Sequence, residues 1–287
     1  MQRPYSPTIR RRRLGFELRR LREENGHTLD EAAKRSSVPR ATIGKIETAE
    51  ARRTRARDID ALADLYSLDE EGRAALHQLC RESKEKGWWS RYKDVFSERA
   101  LPDFEAEATA MRTFQGQVIP GLFQTPSYAE EIFKGGRAVD DPGMVRKVEA
   151  RITRQQTLTR VNAPHITAVI DEGALRRVVG SPAIMVEQLE YLENLAMRHN
   201  IDIQALPFSS GAHLGMAGAF TILEFSEPRD TPVVYVGTAS DDLYLEQEDD
   251  IDRYNLTFSN VQGSALSVTS TVQFIADIKA STGETPT

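Results

Sequence analysis

Thr28-Leu29-Asp30-Glu31-Ala32-Ala33-Lys34-Arg35-Ser36-Ser37-Val38-Pro39-Arg40-Ala41-Thr42-Ile43-Gly44-Lys45-Ile46-Glu47 is the stretch that decides the first part of the fold. It opens with T-x-x-E, the pattern of a capping box, in which a hydroxyl and a carboxylate each satisfy a backbone donor left over at a helix start. That predicts a short helix over 29–36. Ser36-Ser37-Val38-Pro39 then breaks it. Proline suits the first turn of a helix, so a second short helix is expected from Pro39 or Arg40 to about Glu47. Counting from Leu29, the inward positions are Ala32, Ala33, Val38, Ile43 and Ile46.

Other helices frame this pair. Leu14, Leu18 and Leu21 fall on one face of a helix expected over 8–25, which Asn25-Gly26 ends. Ile59, Leu62, Leu65 and Tyr66 mark a helix near 58–66. Asp69 is placed to cap another over 69–86, with Leu76, Leu79 and Cys80 along one face. Two short helices joined by a tight turn and framed by others form a helix-turn-helix arrangement, whose second helix presents its first residues to base edges.

Charge supports that reading. The 287-residue chain carries a net charge of −6. Residues 1–57 hold 16 Lys and Arg against 7 Asp and Glu, a balance of +9, while the remainder holds 21 against 36, a balance of −15. A basic head on an acidic body fits a nucleic-acid-binding head with a body that does not bind it. Arg10-Arg11-Arg12-Arg13 reads as an arm that tracks a phosphate backbone or enters a minor groove, or as a solvated tail. No segment approaches the roughly 20 apolar residues that span a bilayer, and no apolar signal core follows the first arginines. No membrane association is expected, and a cytoplasmic location follows by default. The single cysteine, Cys80, excludes an internal disulfide and reads as a buried apolar residue.

The segment from Leu18 to Tyr66 resembles the xenobiotic-response-element class of helix-turn-helix transcriptional regulators, most specifically in ATIGKIE at 41–47. It departs from that class in having Ser37 where the turn usually carries Gly, Leu29 where Gln is frequent, and Pro39 where Ser or Thr usually opens the second helix. By position in the motif, the resemblance implies that Arg40, Ala41 and Gly44 face the major groove. A bidentate guanine contact suits Arg40, a thymine methyl suits Ala41, and Gly44 permits close approach. Thr28, Lys45, Arg52, Arg53 and Arg55 are the candidates for phosphate contacts.

From about residue 88 the character changes. A helix is expected over 98–115, a short one at 126–133, and an Arg- and Gln-rich one near 143–161. Strands are expected at 165–170, 201–206, 219–225, 232–237 and 242–246, and helices at 182–199, 248–259 and 267–280. The fold class is therefore multidomain: an all-α helix-turn-helix domain over 1–86, a mixed α/β (α+β) domain over 87–280, and a disordered tail over 281–287. The runs WWSRYKDVFSERALPDFEAEATAMRTFQGQVIPGLFQTPSYA, LPFSSGAHLGMAGAFTILEF and LYLEQEDDIDRY are similar to the C-terminal domain of actinobacterial antitoxin-like regulators. The resemblance implies no catalytic residue. It implies a small partner protein encoded by the adjacent gene.

Enzymatic chemistry finds little support. His27, His77, His165, His199 and His213 show no metal-ligand spacing, and Ser181, Ser209 and Ser210 lack the G-x-S-x-G context. Asp171-Glu172 and Asp241-Asp242 read as caps or solvated groups. Neither a catalytic residue, a metal nor a cofactor is assigned. Gly211 to Gly218, with His213 and Gly215, reads either as a mobile connection between strands or as a loop that contacts a ligand or partner. Trp88 and Trp89 either pack between domains or stack on a ligand. The expected function is a sequence-specific DNA-binding regulator that reads a double-stranded operator as a homodimer. The alternatives are an enzyme in the second domain, or a protein-binding adaptor.

Overall fold

The computed structural model describes residues 7–51, 53–84, 87–96, 101–135, 143–226, 230–238 and 242–283. The chain forms two compact units, residues 1–107 with 227–230, and residues 108–226 with 231–287. The division after Glu107 lies beyond the domain boundary expected between residues 86 and 87.

The first unit is helical. Its elements are α1 (Pro7–Glu24), α2 (Leu29–Ser36), α3 (Arg40–Glu47), α4 (Ala56–Leu65), α5 (Glu70–Glu82), a 3-10 turn at Trp88–Tyr92, and α6 (Leu101–Glu107). Leu14, Leu18, Leu21, Ala32, Val38, Ile43, Ile46, Ile59, Leu62, Tyr66, Leu76 and Cys80 form one core. Every inward position expected of the helix pair lies in it, with Leu29 and Ala33 packed at its margin. Cys80 is buried and its thiol meets the Thr54 carbonyl.

The arginines at 10–13 form no arm. They lie within α1, whose helix begins at Pro7. Arg10 pairs with Glu82 at 2.9 Å, Arg13 Nε donates to Asp230 at 2.6 Å, and Arg12 sits over the Phe104 ring at 5.1 Å. Glu107 approaches both Arg10 and Arg13, at 3.9 and 3.8 Å. Carboxylates of α5 and α6 thus neutralise charge that the sequence reading gives either to a phosphate-tracking arm or to a solvated tail, while the helix expected over 8–25 holds these arginines. Over residues 1–107 the balance falls to 23 basic against 20 acidic residues, or +3.

The second unit is built on a six-stranded mixed sheet in the order β3-β2-β1-β4-β5-β6. The strands are β1 (Ala108–Gln115), β2 (His165–Asp171), β3 (Ile201–Leu206), β4 (Phe220–Phe225), β5 (Val233–Gly237) and β6 (Asp242–Leu245). The first three are parallel to one another and the last three join antiparallel. The helices are α7 (Pro126–Lys134), α8 (Met144–Arg154), α9 (Glu172–Arg176), α10 (Pro182–Ala196), α11 (Glu248–Ser264) and α12 (Val268–Gly283). On one face, α11 buries Ile251, Phe258 and Val261 against Phe114, Val169, Leu206, Phe220, Ile222 and Val234.

Three expectations are corrected. The helix expected over 98–115 is α6 followed by β1, which pairs with a strand on each side at the centre of the sheet. Ala-Thr-Ala-Met-Arg-Thr-Phe-Gln is rich in helix formers, and tertiary pairing overrides that preference. The helix near 143–161 ends at Arg154 and continues as a 3-10 turn at Gln155–Leu158. The C-terminal helix α12 carries on through residues 281–283 of the expected tail, while 284–287 lie outside the described residues.

Candidate nucleic-acid interface

The capping box at Thr28 is formed on both sides. Glu31 N–H donates to Thr28 Oγ1 at 3.2 Å, and Thr28 N–H donates to Glu31 Oε2 at 2.8 Å. Thr28 is exposed, but its hydroxyl is also engaged with Glu31 at 2.8 Å. Asp30 and Glu31 in the first turn and Lys34 and Arg35 in the last complement the helix dipole. Ser37 then takes the left-handed conformation at φ 61°, ψ 15°. This is the position where the resembled class usually carries Gly, and a serine tolerates it at a modest cost. Ser36 Oγ helps by donating to Ala32 O and accepting from Val38 N–H, at 2.6 and 3.2 Å.

Pro39 occupies the cap position of α3, with φ −55° and ψ 136°, and no side chain caps the helix. Of the two expected starts, Pro39 or Arg40, the helix takes the second, and Pro39 lies just outside it. Ile43 and Ile46 point into the core, while Arg40, Ala41 and Lys45 are exposed and Gly44 is half-buried. Four sequence-chosen residues thus fall on the outer side of α3. A methyl added at Gly44 meets no atom within 4 Å. Arg40 Nε reaches Asp30 Oδ1 at 2.9 Å, with both side chains largely in solvent. Such a pair contributes little and yields readily to a stronger acceptor. Arg53 and Arg55 are exposed on the segment leading into α4, with Thr54 buried between them. Arg52 lies outside the described residues.

Two residue sets that position α3 are absent from the sequence reading. Gly15 of α1 lies where α3 ends, and a Cβ there would sit 2.4 Å from Ile46 O and 2.9 Å from Glu47 O. Only glycine lets the two backbones meet so closely. Arg22 of α1 makes a bidentate pair with Glu47, the last residue of α3, at 2.8 and 2.9 Å, and also donates to His27 O at 2.9 Å. Both side chains are nearly buried. Together they tie both ends of the turn to the first helix. Tyr66 packs beside this pair, and its hydroxyl is buried without a hydrogen-bond partner. Burial, then the charge of Glu47, push that phenol up to about 12, against an opposing effect of Arg22. The signal for the Arg22–Glu47 pair is a charged residue at each of two otherwise inward helix faces, but a separation of 25 residues hides it from local pattern reading.

Elsewhere, Trp88 packs edge-on against Trp89, Tyr92 and Phe96, at 6.0, 5.9 and 5.8 Å, within the first unit. In the second unit, Asp171 Oδ1 accepts from Gly173 N–H at 2.7 Å as a helix cap, the role expected of it. Asp242 accepts from Tyr235 Oη at 2.8 Å, and Asp241 is outside the described residues. The connection from β3 to β4 is built rather than loose. Phe208 N–H donates to Glu172 at 2.7 Å, Ser210 Oγ to Ser264 O at 2.9 Å, and Leu214 N–H to Asn260 at 3.3 Å. Gly211 takes φ 66°, and Gly215 lies so close to Phe114 that a Cβ would come within 2.7 Å of its ring. His213 packs edge-on to Phe114, its Nε2 3.6 Å from Asp171. Around this frame Phe208, Leu214 and Met216 stand 60, 50 and 72% exposed.

No helix among the described residues is long and apolar enough to cross a membrane. No curated protein and no solved structure matches the chain. Two family matches are found. Residues 13–76 match a helix-turn-helix domain, spanning the region from α1 into α5 that holds Gly15, Arg22 and α3. Residues 99–277 match a domain of unknown function, DUF5753, which takes in the whole sheet. With more than half of its length in that second match, the chain belongs to the DUF5753 family, here joined to an N-terminal helix-turn-helix domain.

Proposed function

We propose that the protein is a sequence-specific DNA-binding transcriptional regulator of the xenobiotic-response-element class. The observation that carries this reading is the two-sided character of α3. Ile43 and Ile46 anchor it, while Arg40, Ala41 and Lys45 are exposed on its outer side and a methyl at Gly44 would meet nothing within 4 Å. Arg40 releases Asp30 and reads a guanine edge, Ala41 contacts a thymine methyl, and Lys45, Arg53 and Arg55 bind phosphates, with Thr28 and Arg52 beside them. A homodimer places two copies of α3 in successive major grooves, roughly 34 Å apart, on a near-palindromic operator.

The second unit supplies dimer contacts and a surface for a small partner protein, in the antitoxin-like arrangement of the actinobacterial regulators whose sequences it resembles. The rigid β3–β4 connection supports this part, because it holds Phe208, Leu214 and Met216 in solvent around Gly211, His213 and Gly215. No catalytic step is assigned to it, and the site of action is cytoplasmic.

Fluorescence anisotropy with duplex from the gene's own upstream region, against a scrambled duplex at two salt concentrations, tests the proposal. Selective binding that weakens steeply with salt supports it. Equal affinity for the two duplexes at both salt concentrations rejects it in favour of an adaptor role.

A further inference from the structure

A cleft of about 380 Å³ opens within the second unit, between the end of α8, the turn after it, and the end of α10 with the residues that follow it. Its apolar walls are Ile152, Leu158 and Leu195, and its polar groups include Tyr191, Asn194 and Arg198. Tyr191, Asn194 and Leu195 share one face of the last turns of α10, and Arg198 follows just beyond its C-cap, Met197.

Arg198 is the unusual member. One guanidinium nitrogen donates to Leu158 O at 3.3 Å, while its Nε is buried with no hydrogen-bond partner. A buried donor left without an acceptor is costly, more so when it is charged. No Asp or Glu lines the cleft to offset that charge. Among the described residues, neither the Tyr191 hydroxyl nor the Asn194 amide makes a hydrogen bond. Burial pushes the Tyr191 phenol up, and the Arg198 charge partly pulls it back, which fits a ring beside the guanidinium. The Arg198 guanidinium, with one buried and unpartnered nitrogen, therefore borders the hollow beside the half-buried Tyr191 and the solvent-exposed Asn194.

We propose that this cleft binds a small apolar monocarboxylate. The guanidinium of Arg198 takes the carboxylate, for which its planar fork is suited. The Tyr191 hydroxyl and the Asn194 amide flank the head group, and the apolar body lies against Ile152, Leu158 and Leu195. At ~30 Å³ per water the cleft holds roughly a dozen waters, room for a ligand of about ten to fifteen non-hydrogen atoms. Every residue involved belongs to the second unit, so the inference stands apart from the DNA-binding reading.

The test is calorimetric titration of the full chain with 2-naphthoate, and with 2-naphthamide as its uncharged counterpart. Naphthoate is expected to bind with a Kd of about 1 mM or tighter, and the amide about tenfold more weakly. Arg198→Gln is expected to erase the difference between the two probes while the circular-dichroism spectrum is kept. Asn194→Trp, which alters an exposed residue and fills the cleft, is expected to abolish binding of both. The proposal is overturned if naphthoate does not bind the native chain. It is equally overturned if naphthoate binds Asn194→Trp as it binds the native chain, or if naphthoate retains its preference over the amide in a folded Arg198→Gln variant.

Discussion

Replacing Gly44 with alanine separates what α3 does for the fold from what it does for DNA. The residue lies in the interior of an eight-residue helix, and a methyl there meets nothing within 4 Å. In the free protein the change is therefore a helix-propensity gain of about 0.5–1 kcal/mol with no steric offset. For a unit of this size that corresponds to a melting-temperature rise of roughly 2–8 °C. On DNA the sign reverses. If Gly44 faces the major groove, the same methyl occupies space that the close approach requires, and relieving the overlap costs about 1–3 kcal/mol. Affinity for an operator selected from a random duplex pool should then fall by roughly 5- to 150-fold. Differential scanning fluorimetry and anisotropy on the same preparation read both effects. Gly263→Ala is a matched control, since Gly263 lies in α11 and a methyl there also meets nothing within 4 Å. It should leave operator affinity unchanged. A Gly44→Ala variant that melts higher and binds as tightly as the native chain would refute the placement of this helix face against DNA.

Gly15→Ala should act in the opposite sense, destabilising the first unit by about 1–3 kcal/mol or more, because the added Cβ meets backbone carbonyls of α3 that cannot turn away. Thermal unfolding measures it, and an unchanged melting temperature would contradict the close contact. Tyr66 predicts an alkaline transition. Its phenol is pushed up to about 12 in the fold, so the stability it contributes is intact below pH 10 and is lost as pH rises from 10 to 12. The full loss is on the order of 2–3 kcal/mol. Tyr66→Phe should remove that component and, by deleting a buried unpartnered hydroxyl, should cost nothing at pH 8. Denaturant unfolding at pH 8, 10 and 11.5 compares the two chains, and parallel losses would exclude Tyr66 as the source. The double change Arg53→Ala with Arg55→Ala should reduce the slope of log affinity against log salt by about 2 and weaken specific and scrambled duplexes alike. An unchanged slope would remove both arginines from the phosphate contacts.

The helix pair is readable because local chemistry and tertiary packing agree there. Thr28 and Glu31 announce the start of α2, and Val38, Ile43 and Ile46 announce the buried side of the turn and of α3. Long-range features escape a local reading. The strand β1 carries helix-forming residues and exists because β2 and β4 flank it. Arg112 at its middle resembles a solvated residue in sequence, yet it donates to Asn255 of α11 at 2.7 Å and lies over Phe258. The arginine run at 10–13 has the pattern of a free arm because its partners Glu82, Glu107 and Asp230 lie some 70 to 220 residues away. Arg22 and Glu47 escape for the same reason. The outer residues of α3 need only the phase of one short helix, which the buried isoleucines fix.

Arg40 gives the most direct test of the account, because among the outer residues of α3 it has the side chain suited to a bidentate base contact. Anisotropy of Arg40→Ala against the selected operator and its single-base variants should show a loss of about 1–3 kcal/mol on the operator, with discrimination relaxed at one base pair per half-site. Unchanged affinity and an unchanged base preference at every position would contradict the claim that α3 reads the DNA.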